Sequence, residues 1–274
     1  MRSFQKNTIW IIGASSGIGE QIVYQLAKED AICLILSSRD PNKLVKVAEN
    51  AKLTSKNCQI VALDIATTSQ VEEIYNRVLQ ENGNNPFLDG IIFCQGVSQR
   101  ASFQEIRWEV FCRIVNTNFY GAVFFVKKFL PFLKQGSFIG VVSSVQAKFG
   151  LPYRTAYAAS KHALHGFFDS LRYELLPRGI QITLACPGYV RTGFSQNALT
   201  ADGMLYARSD LSQQNGVSPQ KAAQIILRAI RRRKREIVFG GAKERAAYWL
   251  SRFFPSLFYK ILSCSQFEST NRKA

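Results

Sequence analysis

Three side chains between Ser144 and Lys161 could together move a proton: the Ser144 hydroxyl, the Tyr157 phenol and the Lys161 amine. Tyr157 and Lys161 are four residues apart, so on a helix they share a face, one turn from each other. A phenol holds its proton until about pH 10, which makes it a poor acid or base at neutrality. An ammonium beside it favours the phenolate and draws that pKa down, toward the range general acid–base catalysis needs. Ser144, thirteen residues before Tyr157, could donate a hydrogen bond to a carbonyl oxygen receiving the proton. Alone, Tyr-x-x-x-Lys also describes a surface helix with one aromatic and one solvated charge. The elements that carry these residues must decide.

The first of those elements is the apolar run TIWII (8–12), typical of a parallel strand covered on both faces. It ends in Gly13-Ala-Ser15-Ser16-Gly17-Ile18-Gly19, after which EQIVYQLAKED has helical spacing. Strand, glycine-rich turn and helix together form the arrangement that holds a pyrophosphate at a helix N-terminus. The glycines let the backbone approach the phosphates, and Ser15 and Ser16 add hydroxyl donors. A glycine cluster can also be a plain tight turn; its place straight after the first strand favours the dinucleotide reading.

A second apolar run, AICLILS (31–37), leads into Ser38-Arg39-Asp40. An acid near this strand end takes the ribose 2′-hydroxyl in NAD-specific units, whereas an Arg suits a 2′-phosphate. Ser37, Ser38 and Arg39 offer the second arrangement. Asp40 competes with it but, followed by Pro41, also reads as a helix N-cap with proline at the first helical position. NADP(H) is therefore favoured over NAD(H).

QIVAL (59–63) is a third strand ending at Asp64-Ile65, where Asp64 could accept from an adenine amino group or cap the helix that follows. LDGIIFC (88–94) is a fourth, closing at Gln95-Gly96. A long helical stretch from about 103 to 133 contains Asn116-Thr-Asn118-Phe-Tyr-Gly121. Asn and Gly are locally unfavourable there, which marks either a site where the helix opens to bind a polar group or an exposed polar face. SFIGVVSS is the fifth strand and ends in Ser144. The helix carrying Tyr157 and Lys161 runs from about 154 to 176. IQITLAC is the sixth strand, ending in Pro187-Gly188-Tyr189-Val190-Arg191-Thr192. Ligands of an open α/β sheet bind at strand C-terminal ends. Gly13, Arg39, Asp64, Gly96, Ser144 and Pro187 all fall at such ends.

The 274 residues are 47% hydrophobic, enough for a large core and against disorder. None of the six cysteines forms a C-x-x-C pair, and Cys33, Cys94 and Cys186 sit in apolar runs. Reduced buried thiols in a cytoplasmic protein are expected rather than a disulfide framework or a zinc site. The run before Gly13 is too short for a signal peptide, and no apolar segment approaches the ~18 residues needed to cross a bilayer. The net charge of +16 is uneven. Residues 221–274 carry thirteen Lys or Arg and three acids, a net +10 against +6 for the preceding 220 residues. That asymmetry suggests an anionic partner for the C-terminal end.

With these motifs assembled, residues 7–240 resemble the short-chain dehydrogenase/reductase family. The glycine motif, Ser144, Tyr157 and Lys161 with Asn118, and the Pro187-Gly188 turn match together. The resemblance implies an α/β fold of Rossmann type: a doubly wound parallel sheet of about seven strands between two helical layers. It implies an oxidoreductase passing a hydride between nicotinamide and a carbonyl or secondary alcohol. In it Asn118, from the Asn-x-x-Gly pattern completed by Gly121, holds a proton-relay water. Ser144 positions the carbonyl, Tyr157 transfers the proton, and Lys161 also binds the nicotinamide ribose. Val190 and Thr192 contact the carboxamide. Homodimers or homotetramers are the expected assemblies. Two departures stand out: Ile12 replaces the usual Thr before the first glycine. Phe93-Cys94-Gln95-Gly96 replaces Asn-Asn-Ala-Gly, removing an asparagine that ties the sheet to the active-site helix. Local repacking is expected there.

Weaker signals complete the reading. His162 and His165 lie three apart with no second pair to complete a metal site, so no metal is expected and packing roles are. Residues 193–217 lack periodicity and read as a substrate lid, with Met204, Leu205 and Tyr206 as pocket candidates. The basic run Arg231–Arg235 reads as a solvated helix end rather than a nucleic-acid site. From 241 to 274 a tail interleaves Trp249, Phe253, Phe254, Leu257, Phe258 and Ile261 with Lys243, Arg245, Arg252 and Lys260. It suits either packing on the domain or a partner subunit, with Pro255 kinking the helix, or peripheral contact with an anionic membrane that delivers an apolar substrate.

Overall fold

The computed structural model describes the backbone of residues 4–208 and 210–271, and the side chains of these except 211, 212 and 265–271. Seven described strands form one parallel sheet in the order β3-β2-β1-β4-β5-β6-β7. They are β1 (Thr8–Ile12), β2 (Cys33–Ser38), β3 (Cys58–Ala62), β4 (Leu88–Phe93), β5 (Leu133–Val142), β6 (Gln181–Pro187) and β7 (Glu236–Phe239). The order reverses between β3-β2-β1 and β4 onward, which opens a crevice at the C-terminal ends of β1 and β4.

Alternation along each strand builds the layers. Trp10 and Ile12 face a core shared with α3 (Thr68–Asn82), α5 (Gly121–Phe129) and α6 (Thr155–Glu174). Ile9 and Ile11 face the other core, with α1 (Gly17–Leu26), α2 (Pro41–Asn50) and α8 (Pro219–Arg231). Trp10 meets Phe125 and Phe129 edge-on at 5.0 and 4.9 Å. Each such pair contributes about 0.5–1.5 kcal/mol beyond the area it buries.

The long helical stretch is three pieces rather than one. It comprises α4 (Trp108–Val115), a π-helical turn (Asn116–Tyr120) and α5. The turn holds the locally unfavourable Asn116 and Asn118, with Gly121 directly after it, and it opens the helix at Asn118. Gly121 is required beside it, because a Cβ there would overlap the Ile65 carbonyl.

Four expectations are corrected. β5 stops at Val142, and Ser144 instead caps a 3₁₀ turn (Val145–Ala147), accepting from Gln146 N–H at 3.1 Å. Cys33 is exposed, at the start of β2. The segment 193–217 is not wholly irregular: it contains α7 (Leu211–Gln214). The tail is two helices, α9 (Ala242–Phe253) and α10 (Pro255–Asn271), separated at Phe254. The strand not anticipated in the six apolar runs is β7, a four-residue segment straight after the basic run. Arg231 pairs with Glu29, while Arg232, Arg233, Lys234 and Arg235 are exposed. Among the described residues no helix is long and apolar enough to cross a membrane.

Candidate active site

Ser144, Tyr157, Lys161 and Asn118 converge where β4, β5 and the π turn end, and all four are at least nine-tenths buried. The helical spacing of Tyr157 and Lys161 does put both on one face: the Lys161 Nζ lies 5.8 Å from the centroid of the Tyr157 ring. The ammonium donates to the Val142 carbonyl at 3.0 Å. A Cβ on Gly96 would sit 3.5 Å from this Nζ and 3.6 Å from Asn118 Oδ1, so Gly96 borders the same space.

The electrostatics differ from the expectation in one respect. Burial pushes the Tyr157 phenol above its ordinary pKa. The Ser144 hydroxyl, hydrogen-bonded to the phenol, and the charges of Arg154 and Arg100 pull the other way without overcoming it. Lys161 is not among the groups that pull the phenol down, and burial lowers its own ammonium to about 8. The arrangement as it stands keeps a proton on Tyr157 at neutral pH.

Asn118 is a tether. Its Oδ1 accepts from Val97 N–H at 2.8 Å, and its Nδ2 donates to Val97 O and Ser160 Oγ at 2.9 Å each. Gln99, which the residue pattern did not single out, is fully buried and does the same for the start of α6. Its Oε1 accepts from Ala156 N–H at 2.8 Å and its Nε2 donates to Thr155 Oγ1 at 3.2 Å. These two amides join the loop after β4 to the Tyr157 helix.

Beneath Ser144, His165 collects polar groups from three elements. It meets Ser143 Oγ at 3.0 Å, Lys148 Nζ at 3.0 Å, Glu236 Oε2 at 3.4 Å and Cys186 Sγ at 3.5 Å. Burial would raise the Glu236 carboxyl, but hydrogen bonds from His165 and Lys148 hold it down at about 2. His165, Cys186 and Glu236 have the spacing of a metal-ligand trio. The Lys148 ammonium, 2.7 Å from Glu236, already supplies the cation there. His162 is separate from this group and bonds the Ala158 carbonyl.

The opposite end of the crevice has the shape of a nucleotide cradle. Gly13 turns at φ +82°, and a Cβ there would lie 2.6 Å from Gln95 N, so the turn can pass β4 only as glycine. The Oε1 of that same Gln95 is buried without a partner among the described residues. Ser15 is half-buried; Ser16, exposed at the N-cap of α1, makes no side-chain cap bond, and Ile18 and Gly19 continue the first turn. Thr192 packs over Gly17, 3.2 Å from where its Cβ would be. Val190 is buried; Pro187 ends β6 and Gly188 follows it, with Glu244 of α9 against Gly188.

Arg39 is exposed at the end of β2. Asp40 caps α2, accepting from Asn42 and Lys43 N–H groups at 3.0 and 3.3 Å. Ser37 is taken by the Trp10 indole at 2.8 Å, while Ser38 bonds the Asp40 carbonyl. Asp64 accepts from Ala66 N–H at 3.1 Å; the cap of α3 is Thr67, and Ile65 is buried. Glycine turn, orphaned acceptor and exposed cation together fit a dinucleotide. A cavity of ≈ 410 Å³ lined by Cys33, Asn57, Arg77 and Phe87 lies at the strands' other ends and reaches Trp10 from below.

On the face of Tyr157 toward the segment after β6, Phe194 packs against its ring with centroids 5.8 Å apart. Met204 and Leu205 are exposed, whereas Tyr206 lies under the Arg100 guanidinium. Phe258 of α10 stacks edge-on against Phe149, in the loop following Ser144.

The sheet order and the buried hydroxyl, phenol and amine at its strand ends define a Rossmann-type oxidoreductase. A family model described as short chain dehydrogenase matches residues 7–203, and the chain belongs to the short-chain dehydrogenase/reductase family. It is 33% identical to "Dehydrogenase/reductase SDR family member 7B" of Danio rerio, over 99% of this chain and 89% of that one. It is 35% identical to "Dehydrogenase/reductase SDR family protein 7-like" of Drosophila melanogaster, over 93% and 79%. The same fold is seen in a short chain dehydrogenase from Burkholderia cenocepacia solved with NADP. That likeness has a TM-score of 0.76 at 19% identity and covers 95% and 99% of the two chains. An alcohol dehydrogenase from Thermococcus sibiricus, complexed with 5-hydroxy-NADP, has a TM-score of 0.70 at 24% identity over 86% and 97%.

Proposed function

We propose that this protein reduces a carbonyl to a secondary alcohol with NADPH, or runs the reverse reaction with NADP⁺. The observation that carries the reading is the buried Ser144, Tyr157 and Lys161 cluster facing Gly96 at the strand ends. Gly13 to Gly19 and the open first turn of α1 would hold the pyrophosphate. Arg39 would pair with the 2′-phosphate; Asp40, engaged as a cap, is not free to claim a ribose hydroxyl. Asp64 and Ile65 would border the adenine, and Pro187, Gly188, Val190 and Thr192 the carboxamide. The solved structures with NADP and 5-hydroxy-NADP support this choice of cofactor by fold.

When bound, the nicotinamide would supply or take the hydride at its C4. Ser144 orients the carbonyl by donating to its oxygen. Tyr157, kept protonated by burial, delivers its proton to that oxygen as the hydride reaches the carbon. Lys161, its ammonium lowered by burial to about 8, would hold the nicotinamide ribose. Asn118 holds the loop that closes the site and, through its oxygen's second lone pair, can accept from a relay water.

The substrate is read as hydrophobic and lipid-like. Trp249 and Phe253 on α9, Phe254 between the helices, and Leu257 and Ile261 on α10 are each at least half exposed. Through Phe258 the tail also touches the loop after Ser144. With Lys243, Arg245, Arg252 and Lys260 among them, these residues suit the surface of an anionic membrane. The competing reading is a nucleotide-binding regulatory protein without appreciable turnover. A panel of carbonyl substrates, long-chain and polycyclic ketones included, followed by NADPH absorbance decides between them: oxidation of NADPH with no member of the panel would favour the regulator.

A further inference from the structure

Beside Tyr157, on the substrate side, two cations face one anion. Arg100 comes from the loop after β4, Arg154 from the N-cap of the Tyr157 helix, and Asp210 from the segment ahead of α7. Asp210 Oδ2 meets Arg100 Nη2 at 2.5 Å and Arg154 Nη2 at 3.2 Å, with Ser195 Oγ also at 3.2 Å. Both guanidinium side chains are mostly buried, at 11% and 13% exposed. No second carboxylate pairs with either among the described residues.

The cluster therefore holds an excess positive charge out of water. Burying a charge without a counter-charge is costly. The donor inventory is also incomplete. Arg100 uses Nη1 on Ser98 Oγ and Gln99 O and Nη2 on Ser195 and Asp210, but its Nε is buried with no partner among the described residues. Arg154 reaches Asp210 alone among the described residues. Two guanidinium forks aimed at one small anion leave donors that a planar or tetrahedral oxyanion would fill in bidentate fashion.

We infer that Arg100 and Arg154 bind an oxyanion group, carboxylate or phosphate, carried by the carbonyl substrate, and that Asp210 occupies their forks until that group arrives. The inference rests on the reductase reading above and narrows it to ketones that also bear an anionic group. Location supports it. Arg154 is three residues from Tyr157, and Arg100 adjoins Gln99, which is bonded to Ala156. Both charges are felt at the phenol. Ser195 and Phe194 connect the same cluster to the ring facing Tyr157. An anion seated there orients the rest of the substrate across the phenol.

The test compares oxodecanoic acids, with the ketone at successive positions, against their methyl esters, in the presence of saturating NADPH. At the best ketone position kcat/KM should favour the acid by about tenfold or more, as a charge-assisted bidentate contact allows. Arg100→Gln and Arg154→Gln should each cut the acid-to-ester ratio about tenfold, whatever they do to the ester. Asp210→Asn should raise that ratio, since it removes the internal competitor. Esters matching acids at every position, or an unchanged ratio in the arginine variants, overturns the inference. So does an Asp210→Asn variant that lowers both substrates in parallel, the mark of a purely structural clamp. If no ketone is turned over, the reductase reading has failed separately. Melting of the NADPH-saturated protein with octyl phosphate and with inorganic phosphate then reads the site directly. A rise with octyl phosphate that Arg100→Gln abolishes supports it. An equal rise with inorganic phosphate, or none with either, overturns it.

Discussion

The Lys161 ammonium is anchored to the Val142 carbonyl at 3.0 Å while lying 5.8 Å from the Tyr157 ring centroid. It belongs to the end of β5 as much as to the phenol. Its charge is therefore held in the crevice at an energetic cost, and that cost has a measurable pH signature.

Burial lowers Lys161 from its ordinary 10.5 to about 8. Between those values the unfolded chain holds the proton that the folded chain has given up, so stability rises with pH across that window. Below pH 8 the penalty is complete, on the order of 3 kcal/mol. Lys161→Met lacks this dependence. In urea titrations of the cofactor-free protein, the wild type should gain on the variant between pH 8 and 10.5 and not below. A constant difference over that range would contradict the assignment.

Tyr157→Phe removes the proton donor but keeps the ring that packs on Phe194. It should lower kcat at least ~100-fold while NADPH affinity, read by fluorescence titration, changes little. Turnover near that of the wild type would remove Tyr157 from the chemistry.

Arg39→Ala tests the nucleotide end. Removing an exposed cation opposite a 2′-phosphate should weaken NADPH binding about tenfold or more and leave NADH binding nearly unchanged. Equal losses for both cofactors would move the 2′-phosphate elsewhere.

Glu236→Gln tests the network under the Ser144 loop. The wild-type carboxyl titrates at about 2 against an ordinary 4.5, so its contribution is present above pH 4.5 and lost as pH falls toward 2. The variant should be less stable at neutral pH, and its deficit should shrink across that acid window in denaturation titrations. A deficit independent of pH would mean that the carboxylate's charge contributes nothing to Lys148 and His165.

The tail is tested by flotation with phosphatidylserine vesicles. Binding should be strong at low salt, fall as salt screens the cations, and be lost in a Trp249→Ser, Phe253→Ser double variant. Failure of the wild type to float at low salt would leave α9 and α10 as ordinary packing helices.

Much of this protein is decided by neighbours along the chain. Alternating apolar runs set the strands and the two cores; a glycine-rich turn followed by helical spacing set α1; a four-residue interval brought Tyr157 and Lys161 to one face. These are local periodicities, and local geometry suffices to read them. Distance along the chain hid the rest. β7 is too short and too near a basic run to show a pattern, and it takes strand form because β6 offers an unpaired edge. Gln99 and Glu236 acquire partners 57 and 88 residues away. Arg100, Arg154 and Asp210 meet across as many as 110 residues. The direction of the Tyr157 shift lies outside the sequence for the same reason: burial, which no spacing records, outweighs the charges around the phenol. Spacing establishes which groups can share a helix face, whereas desolvation and convergence depend on what the folded chain places around them.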